Sequence, residues 1–151
     1  MEYREPNKQR EEAKRLLEEL KDKEIKNKDR MKIPQQDMPS QNPNERIKNM
    51  QEVALGYFEE QAKAEALRCL QCKNAPCIKG CPVAINIPVF IQKIVDSDYA
   101  GSIEEIRKTS LLPAICGRVC PQESQCQEEC TLGKVLKDKN KSVSIGRLER
   151  Y

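Results

Sequence analysis

The sequence contains no histidine and no tryptophan among its 151 residues, and aromatic residues make up only 4% of it. Without histidine, a nucleophilic cysteine has no imidazole to activate it, so catalysis by a cysteine–histidine pair is excluded. The scarcity of aromatics, a charged fraction of 34% and a mean hydropathy of −0.77 leave little apolar surface to bury. We therefore expect something other than side-chain packing to hold part of the fold together.

Long apolar runs and a strong charge bias are also missing. No stretch approaches the roughly 18 apolar residues of a membrane span. The opening residues, "MEYREPNKQREEAKRL", mix acids and bases, unlike a secretory signal. A formal net charge of +3 is small for a nucleic-acid binder of this length. These features predict a soluble, cytoplasmic protein that binds neither nucleic acid nor membrane.

No stretch shows the period-two alternation of a half-buried strand, so we predict an all-α fold. Residues 7–25 carry a narrow apolar stripe at helical spacing, and residues 32–46, with three prolines, predict an extended connector. Further helices are predicted at 47–56, ended by Gly56; at 57–70; from Pro88 onwards; and at 102–109, with Ser102 as its cap. The basic segment 134–141 predicts a flexible loop.

Eight cysteines dominate the chemistry, and they fall into two groups of four. Their spacings are C-x2-C-x4-C-x3-C-P and C-x3-C-P-x4-C-x3-C, from Cys69, Cys72, Cys77 and Cys81, and from Cys116, Cys120, Cys126 and Cys130. In a reducing cytosol, clustered cysteines are more often metal ligands than disulfides. The first spacing is close to a bacterial iron–sulfur pattern in which the fourth cysteine ligates the other cluster. We therefore predict two cubane clusters, each taking a ligand from the other group.

Zinc is the main alternative, because thiolate is the soft ligand that both zinc and iron–sulfur clusters select. Two four-cysteine zinc sites would make the chain a stapled interaction module without redox activity. Structural zinc favours paired C-x2-4-C knuckles, however, and only Cys69 and Cys72 form such a pair. For a cluster, Gly80 and Gly117 would permit close backbone approach. Three basic residues beside the cysteines would favour its reduced form: Lys73, Lys79 and Arg118.

Three stretches carry a family resemblance: "EEQAKAEALRCLQCKNAPCIKGCPVAINIPVFI", "PAICGRVCPQESQCQEEC" and "SIGRLERY". They resemble the amino-terminal iron–sulfur domain of the glutamate synthase small-subunit family. That family includes the large subunit of NADH-dependent ferredoxin:NADP oxidoreductase and the corresponding domain of dihydropyrimidine dehydrogenase. The resemblance implies an alpha-helical ferredoxin-like domain at residues 36–151 that binds two [4Fe-4S] clusters. Residues 1–35 would be an N-terminal helical extension that the resemblance does not explain.

The same resemblance implies a role in electron transfer. Electrons would pass between a flavin and NAD(P)H site of the parent oxidoreductase and a partner redox subunit or ferredoxin. In that family an FAD- and NAD(P)-binding region follows immediately, so the resemblance implies that this region follows residue 151. No G-x-G-x-x-G motif occurs within the chain. The chain alone is then not expected to be catalytic.

The family's ligand pattern can be carried onto this sequence residue by residue. The resemblance implies that Cys69, Cys72, Cys77 and Cys130 hold one cluster, and that Cys81, Cys120, Cys126 and Glu149 hold the other. Glu149, in "IGRLE", stands where one relative has glutamine in an "IGGLQ"-like stretch. Parity of the cysteines offers an alternative, in which Cys116 is the eighth ligand and Glu149 a surface acid. We favour Glu149, because Cys116 would compete with Cys120 for room.

Overall fold

The computed structural model describes residues 3–151, and its secondary structure is helical. Within that range there is no strand, and the single β-type contact is an isolated bridge between Ser40 and Ala54. The all-α prediction is therefore confirmed. The α-helices of the described residues are α1 Pro6–Leu20, α2 Asn27–Arg30, α3 Pro43–Arg46, α4 Glu59–Leu67, α5 Pro76–Lys79, α6 Ile87–Val95, α7 Tyr99–Arg107, α8 Pro113–Val119, α9 Thr131–Val135 and α10 Ile145–Arg150.

Helix α1 lies along α4. It begins with a proline in its first turn, where the missing N–H costs nothing, and it buries Ala13. It ends at Leu20, earlier than predicted, because residues 21–24 are charged and exposed and offer no apolar face. The Arg10 guanidinium pairs with Glu60 at 2.9 Å and lies over the Phe58 ring. The N-terminal helix thus contacts the helix that leads to the first cysteine.

The apolar centre of the molecule lies between α6 and α7. Phe90, Ile91 and Ile94 of α6 are almost completely buried, together with Ile106 of α7. Because α6 is the most apolar segment of the sequence, its burial against neighbours on several sides is the expected outcome. It also supplies one wall of the candidate site described below.

The predicted start of α7 at Ser102 is wrong. The helix begins at Tyr99, and the Asp98 side chain caps it by accepting a hydrogen bond from the Gly101 N–H at 2.9 Å. Ser102 therefore lies inside the helix, where its hydroxyl donates to the Phe90 carbonyl at 3.0 Å. That bond ties α7 to α6.

The predicted helix over residues 47–56 is also wrong. A short helix forms earlier, in α3, where the Asn42 side chain accepts from the Asn44 N–H and Pro43 opens the first turn. Beyond it, Ile47 and Met50 point into solvent, so the apolar residues that suggested a helix have nothing to pack against. The segment 32–46, predicted as wholly extended, accordingly ends in a helical turn.

Helices α8 and α10 make the closest helix pair of the C-terminal half. Gly117 permits this approach, because a Cβ there would lie 2.8 Å from the Arg150 nitrogen and from the Gly146 carbonyl oxygen. The predicted loop 134–141 instead contains the end of α9 and a 3-10 turn at Lys139–Lys141, capped by Asp138. No helix within residues 3–151 is long and apolar enough to cross a membrane.

Candidate metal centre

Four cysteines line one small cavity, and they come from both cysteine groups. They are Cys69, Cys72, Cys77 and Cys130. The remaining wall of the cavity is mostly apolar and includes Leu70, Ile87, Ile91, Leu132, Val143 and Ile145. A largely apolar cavity lined by four cysteines suits a metal cluster, because thiolates are soft ligands and an apolar surround limits the access of water.

Local structure explains how these sulfurs converge. Cys69 follows the end of α4, Cys77 lies in the first turn of α5, and Cys130 precedes α9. Between Cys69 and Cys72 the chain turns sharply, since Gln71 adopts a left-handed conformation with φ of 50°. Three of the four cysteines are buried, and Cys72 is half-buried.

A second group of side chains gathers around α8 and α10. Cys120 ends α8, with Cys116 one helical turn before it, and Glu149 lies on α10. Cys126 follows a 3-10 turn at Gln122–Ser124 and is buried. Burial is the main cause of the raised pKa values of Cys120 and Cys126, and the negative charges of Cys81 and Glu149 raise both further. Cys81 and Glu149 therefore both lie within electrostatic reach of Cys120 and of Cys126.

Gly80 brings the Cys81 segment close to this second group. A Cβ at Gly80 would be 2.7 Å from the Gln125 carbonyl oxygen, so any larger residue would push the two segments apart. Because Gln125 immediately precedes Cys126, this close approach sets the separation between Cys81 and Cys126.

Glu149 is the unusual member of this second group. Its Oε1 atom is buried and has no hydrogen-bond partner, the one such side-chain atom within residues 3–151. Burial raises the pKa of Glu149 to about 7. A buried acceptor oxygen without a partner costs the fold free energy. Its presence indicates that a ligand, which the protein itself does not supply, binds this oxygen. A metal ion of a cluster would do so.

The cysteines themselves fit a cluster. Burial raises the pKa of Cys69 to about 11 and those of Cys77 and Cys126 to about 12. Ligation requires thiolates, and the positive charge of a bound metal would favour ionisation of these buried thiols. Backbone hydrogen bonds from Gln71 to Cys69 and from Gln127 to Cys126 oppose the effect of burial, as bonds to ligand sulfurs do.

The two groups are adjacent. Besides burial, which is the main cause, the charge of Cys126 contributes to the raised pKa of Cys77, although Cys77 belongs to the other group. All eight cysteines lie within the described residues, and each is free of a disulfide. No group of three or more Cys, Asp and Glu side chains within residues 3–151 has the close spacing of a site for a single metal ion.

Comparison with known sequences identifies the family. The sequence model of a family described as dihydropyrimidine dehydrogenase domain II, 4Fe-4S cluster, matches residues 46–151. The chain belongs to this family. The resemblance found in the sequence is thereby confirmed, and the chain is a 4Fe-4S domain of an oxidoreductase family, whose general role is electron transfer.

Curated relatives of this 4Fe-4S domain are longer proteins. The NAD-dependent dihydropyrimidine dehydrogenase subunit PreT of Salmonella typhimurium is 37% identical over 114 residues, which are 76% of this chain and 25% of that protein. The glutamate synthase (NADPH) small chain of Escherichia coli K12 is 41% identical over 95 residues, 63% of this chain and 19% of that protein. That of Halomonas elongata is 35% identical over 119 residues, 79% and 24% respectively. The chain thus spans about a quarter or less of these relatives.

Sequence reasoning missed a buried ion pair that supports the 4Fe-4S domain. Arg68 immediately precedes Cys69 and pairs with Glu65, and both side chains are almost fully buried. The Glu65 carboxylate also accepts from the backbone N–H of Ser144, just before α10. The pair therefore joins the helix that leads to Cys69 to the helix that carries Glu149. Its three-residue spacing is visible in the sequence, but its burial depends on segments far away in the chain.

Proposed function

We propose that this domain carries two [4Fe-4S] clusters and relays electrons between the flavin and NAD(P)H site of a parent oxidoreductase and a partner redox subunit or ferredoxin. One observation carries the proposal: the cysteines that lie together in space come from both groups of the sequence. Cys130 lines the cavity of the first group, and the close approach of Gly80 to Gln125 brings the Cys81 segment beside Cys126. The alternative, a zinc-stapled module without redox activity, is less favoured because the chain belongs to a 4Fe-4S family.

Cys69, Cys72, Cys77 and Cys130 are the proposed ligands of the first cluster. The cavity that they share supports this assignment, since all four cysteines line it. Apolar residues of α6 and α9 form part of its wall, namely Ile87, Ile91 and Leu132.

Cys81, Cys120, Cys126 and Glu149 are the proposed ligands of the second cluster. Glu149 is preferred to Cys116 because its buried Oε1 has no partner within the described part of the chain. Cys116, in contrast, accepts a hydrogen bond from the Ser110 hydroxyl at 3.9 Å and already lies against Cys120. A carboxylate ligand would give this cluster a reduction potential different from that of a site with four thiolates.

The residues that hold the clusters also define a path for electrons. Bound [4Fe-4S] clusters accept and donate single electrons. Cys77 of one site and Cys126 of the other lie within electrostatic reach of each other, which supports passage between the sites.

An exposed apolar face of α8 supports a partner on the side of the second site. Ile115 and Val119 of α8 and its N-cap residue Leu112 are each more than half exposed, on the segment that carries Cys116 and ends at Cys120. Exposed apolar surface of this kind is typical of a contact with another protein part. We propose the FAD- and NAD(P)-binding region of the parent as the part that covers it.

Metal analysis of anaerobically prepared protein tests the proposal. Two clusters predict about eight irons and about eight inorganic sulfides per chain, with a brown colour that bleaches on addition of dithionite. A matched control replaces Cys77 and Cys120 by serine, one from each proposed site, and should lose most of that iron. Zinc without iron or sulfide would reject the proposal and support the stapled module instead.

A further inference from the structure

Arg30 contacts the candidate centre from outside the region that the family model matches. It is the last residue of α2, and its side chain is half-buried. One guanidinium nitrogen, Nη1, donates to the Leu67 carbonyl at 3.0 Å and to the Cys69 carbonyl at 2.9 Å. These carbonyls lie at the C-terminal end of α4, where helix carbonyls lack intrahelical partners and a cation is favourable. Arg30 thereby fixes the backbone of a proposed ligand.

The charge of Arg30 is not neutralised nearby. Within residues 3–151 its guanidinium forms no ion pair, and both of its hydrogen-bond acceptors are backbone carbonyls. Its Nη1 atom lies 2.9 Å from the carbonyl oxygen of Cys69, so the positive charge is beside a proposed ligand residue. A positive charge in that position favours any negative charge that is added nearby.

The three basic residues that the sequence predicted to favour a reduced cluster are less well placed than Arg30 to stabilise its negative charge. Lys73 and Lys79 are exposed, so water and salt screen their charges. Arg118 pairs with Glu52 at 2.8 Å, which compensates most of its charge. Arg30 is therefore the basic side chain with both a direct contact to a ligand residue and an uncompensated charge.

We propose that Arg30 is a positioning residue for Cys69 and that its charge makes the cluster held by Cys69, Cys72, Cys77 and Cys130 easier to reduce. Reduction adds one electron to that cluster, and the guanidinium stabilises the added negative charge through space. The inference rests on the proposed function. It also gives part of the N-terminal extension, residues 1–35, a role in the metal centre.

Two substitutions separate the charge of Arg30 from its structural contact. Arg30→Gln removes the charge but keeps a donor, whereas Arg30→Lys keeps the charge with a single ammonium group. Arg10→Gln is the matched control, since Arg10 is also N-terminal and contacts α4, but through the Glu60 carboxylate. Each anaerobic, cluster-loaded variant is titrated with dithionite and followed by electron paramagnetic resonance. The signal that Cys69→Ser alters identifies the cluster concerned.

The proposal predicts that Arg30→Gln lowers the reduction potential of that one signal and leaves the other in place. Arg30→Lys should restore most of the wild-type potential, and Arg10→Gln should match wild type. An unchanged potential in Arg30→Gln, or an equal shift in Arg10→Gln, overturns the role of Arg30 while the clusters stand. Wild-type protein without iron and sulfide would instead reject the proposed function itself.

Discussion

Replacement of Glu65 by glutamine tests the buried network that holds α4 against the C-terminal segment. Glu65 is completely buried, and its carboxylate binds three donors: the Arg68 guanidinium, the Gln36 N–H at 2.8 Å and the Ser144 N–H at 2.9 Å. Glutamine has nearly the same shape but no charge. The change therefore removes the counter-ion of Arg68 while it leaves the packing volume unchanged.

The expected cost follows from what remains buried. Arg68 is 2% exposed, and breaking a buried ion pair from one side costs about 3–5 kcal/mol. Arg68 keeps its bonds to the carbonyls of Ile33, Lys141 and Ser142, so we expect the lower end, about 3 kcal/mol. At about 2–4 °C per kcal/mol for a domain of this size, the melting temperature should fall by about 6–12 °C.

The assay is thermal unfolding of the cluster-loaded protein, followed by circular dichroism under anaerobic conditions. All variants are compared at one heating rate, because unfolding of such proteins is rarely reversible. Glu45→Gln is the control: Glu45 pairs with Lys48 at 3.2 Å on the surface, and both side chains are about two thirds exposed. Exposed pairs contribute little, so this variant should melt close to wild type.

Equal melting temperatures for Glu65→Gln and Glu45→Gln would refute this reasoning. Replacing both Glu65 and Arg68 by methionine gives a second test. Apolar substitution of a buried pair is often neutral, but here it would strip partners from five backbone groups. We therefore expect the double variant to remain less stable than wild type.

Three further changes test the site. Cys77→Ser should lower the iron content by about half and loosen the fold, because metal binding is coupled to folding; full iron in this variant would contradict its role as a ligand. Cys116→Ala should retain both clusters if Glu149 is the eighth ligand, and loss of one paramagnetic signal would assign Cys116 instead. Gly117→Ala places a Cβ 2.8 Å from the Arg150 nitrogen and should destabilise the domain by about 1–3 kcal/mol, measured as a lower melting temperature. An unchanged melting temperature would show that α8 and α10 separate easily.

The fold class was predictable because it depends on local periodicity, whereas the assignment of cysteines to two ligand sets came from the family resemblance and stays a prediction. Period-two alternation is absent throughout, so an all-α fold followed directly. The two runs of four cysteines indicated shared metal sites through their spacing alone. Gly80 and Gly117 were predicted to permit backbone approach to a cluster, which the distances leave untested; in the structure each glycine permits close contact with another backbone segment, at Gln125 and at Arg150.

The predictions that failed depended on competition between local signals. Residues 47–56 have a helical pattern, but Asn42 and Pro43 start a helix sooner and leave Ile47 without a packing partner. At α7, Ser102 and Asp98 are both good capping residues, and Asp98 forms the cap. Sequence alone does not rank two such caps, because aspartate and serine are about equally favourable at this position.

The supporting residues of the site were not predictable from the sequence. Glu65 and Arg68 lie in a helix rich in charges, where exposed pairs are the ordinary expectation. Their burial, and the contact of Arg30 with the Cys69 carbonyl, depend on segments that lie more than 30 residues apart in the chain. Such contacts follow from the tertiary fold and carry no short-range signature.

Anaerobic crystals measured at the iron absorption edge would test the central claim most directly. The account predicts two compact groups of iron, one against Cys69, Cys72, Cys77 and Cys130, and the other against Cys81, Cys120, Cys126 and Glu149. Isolated zinc ions, disulfides between these cysteines, or a single iron group without inorganic sulfide would contradict it.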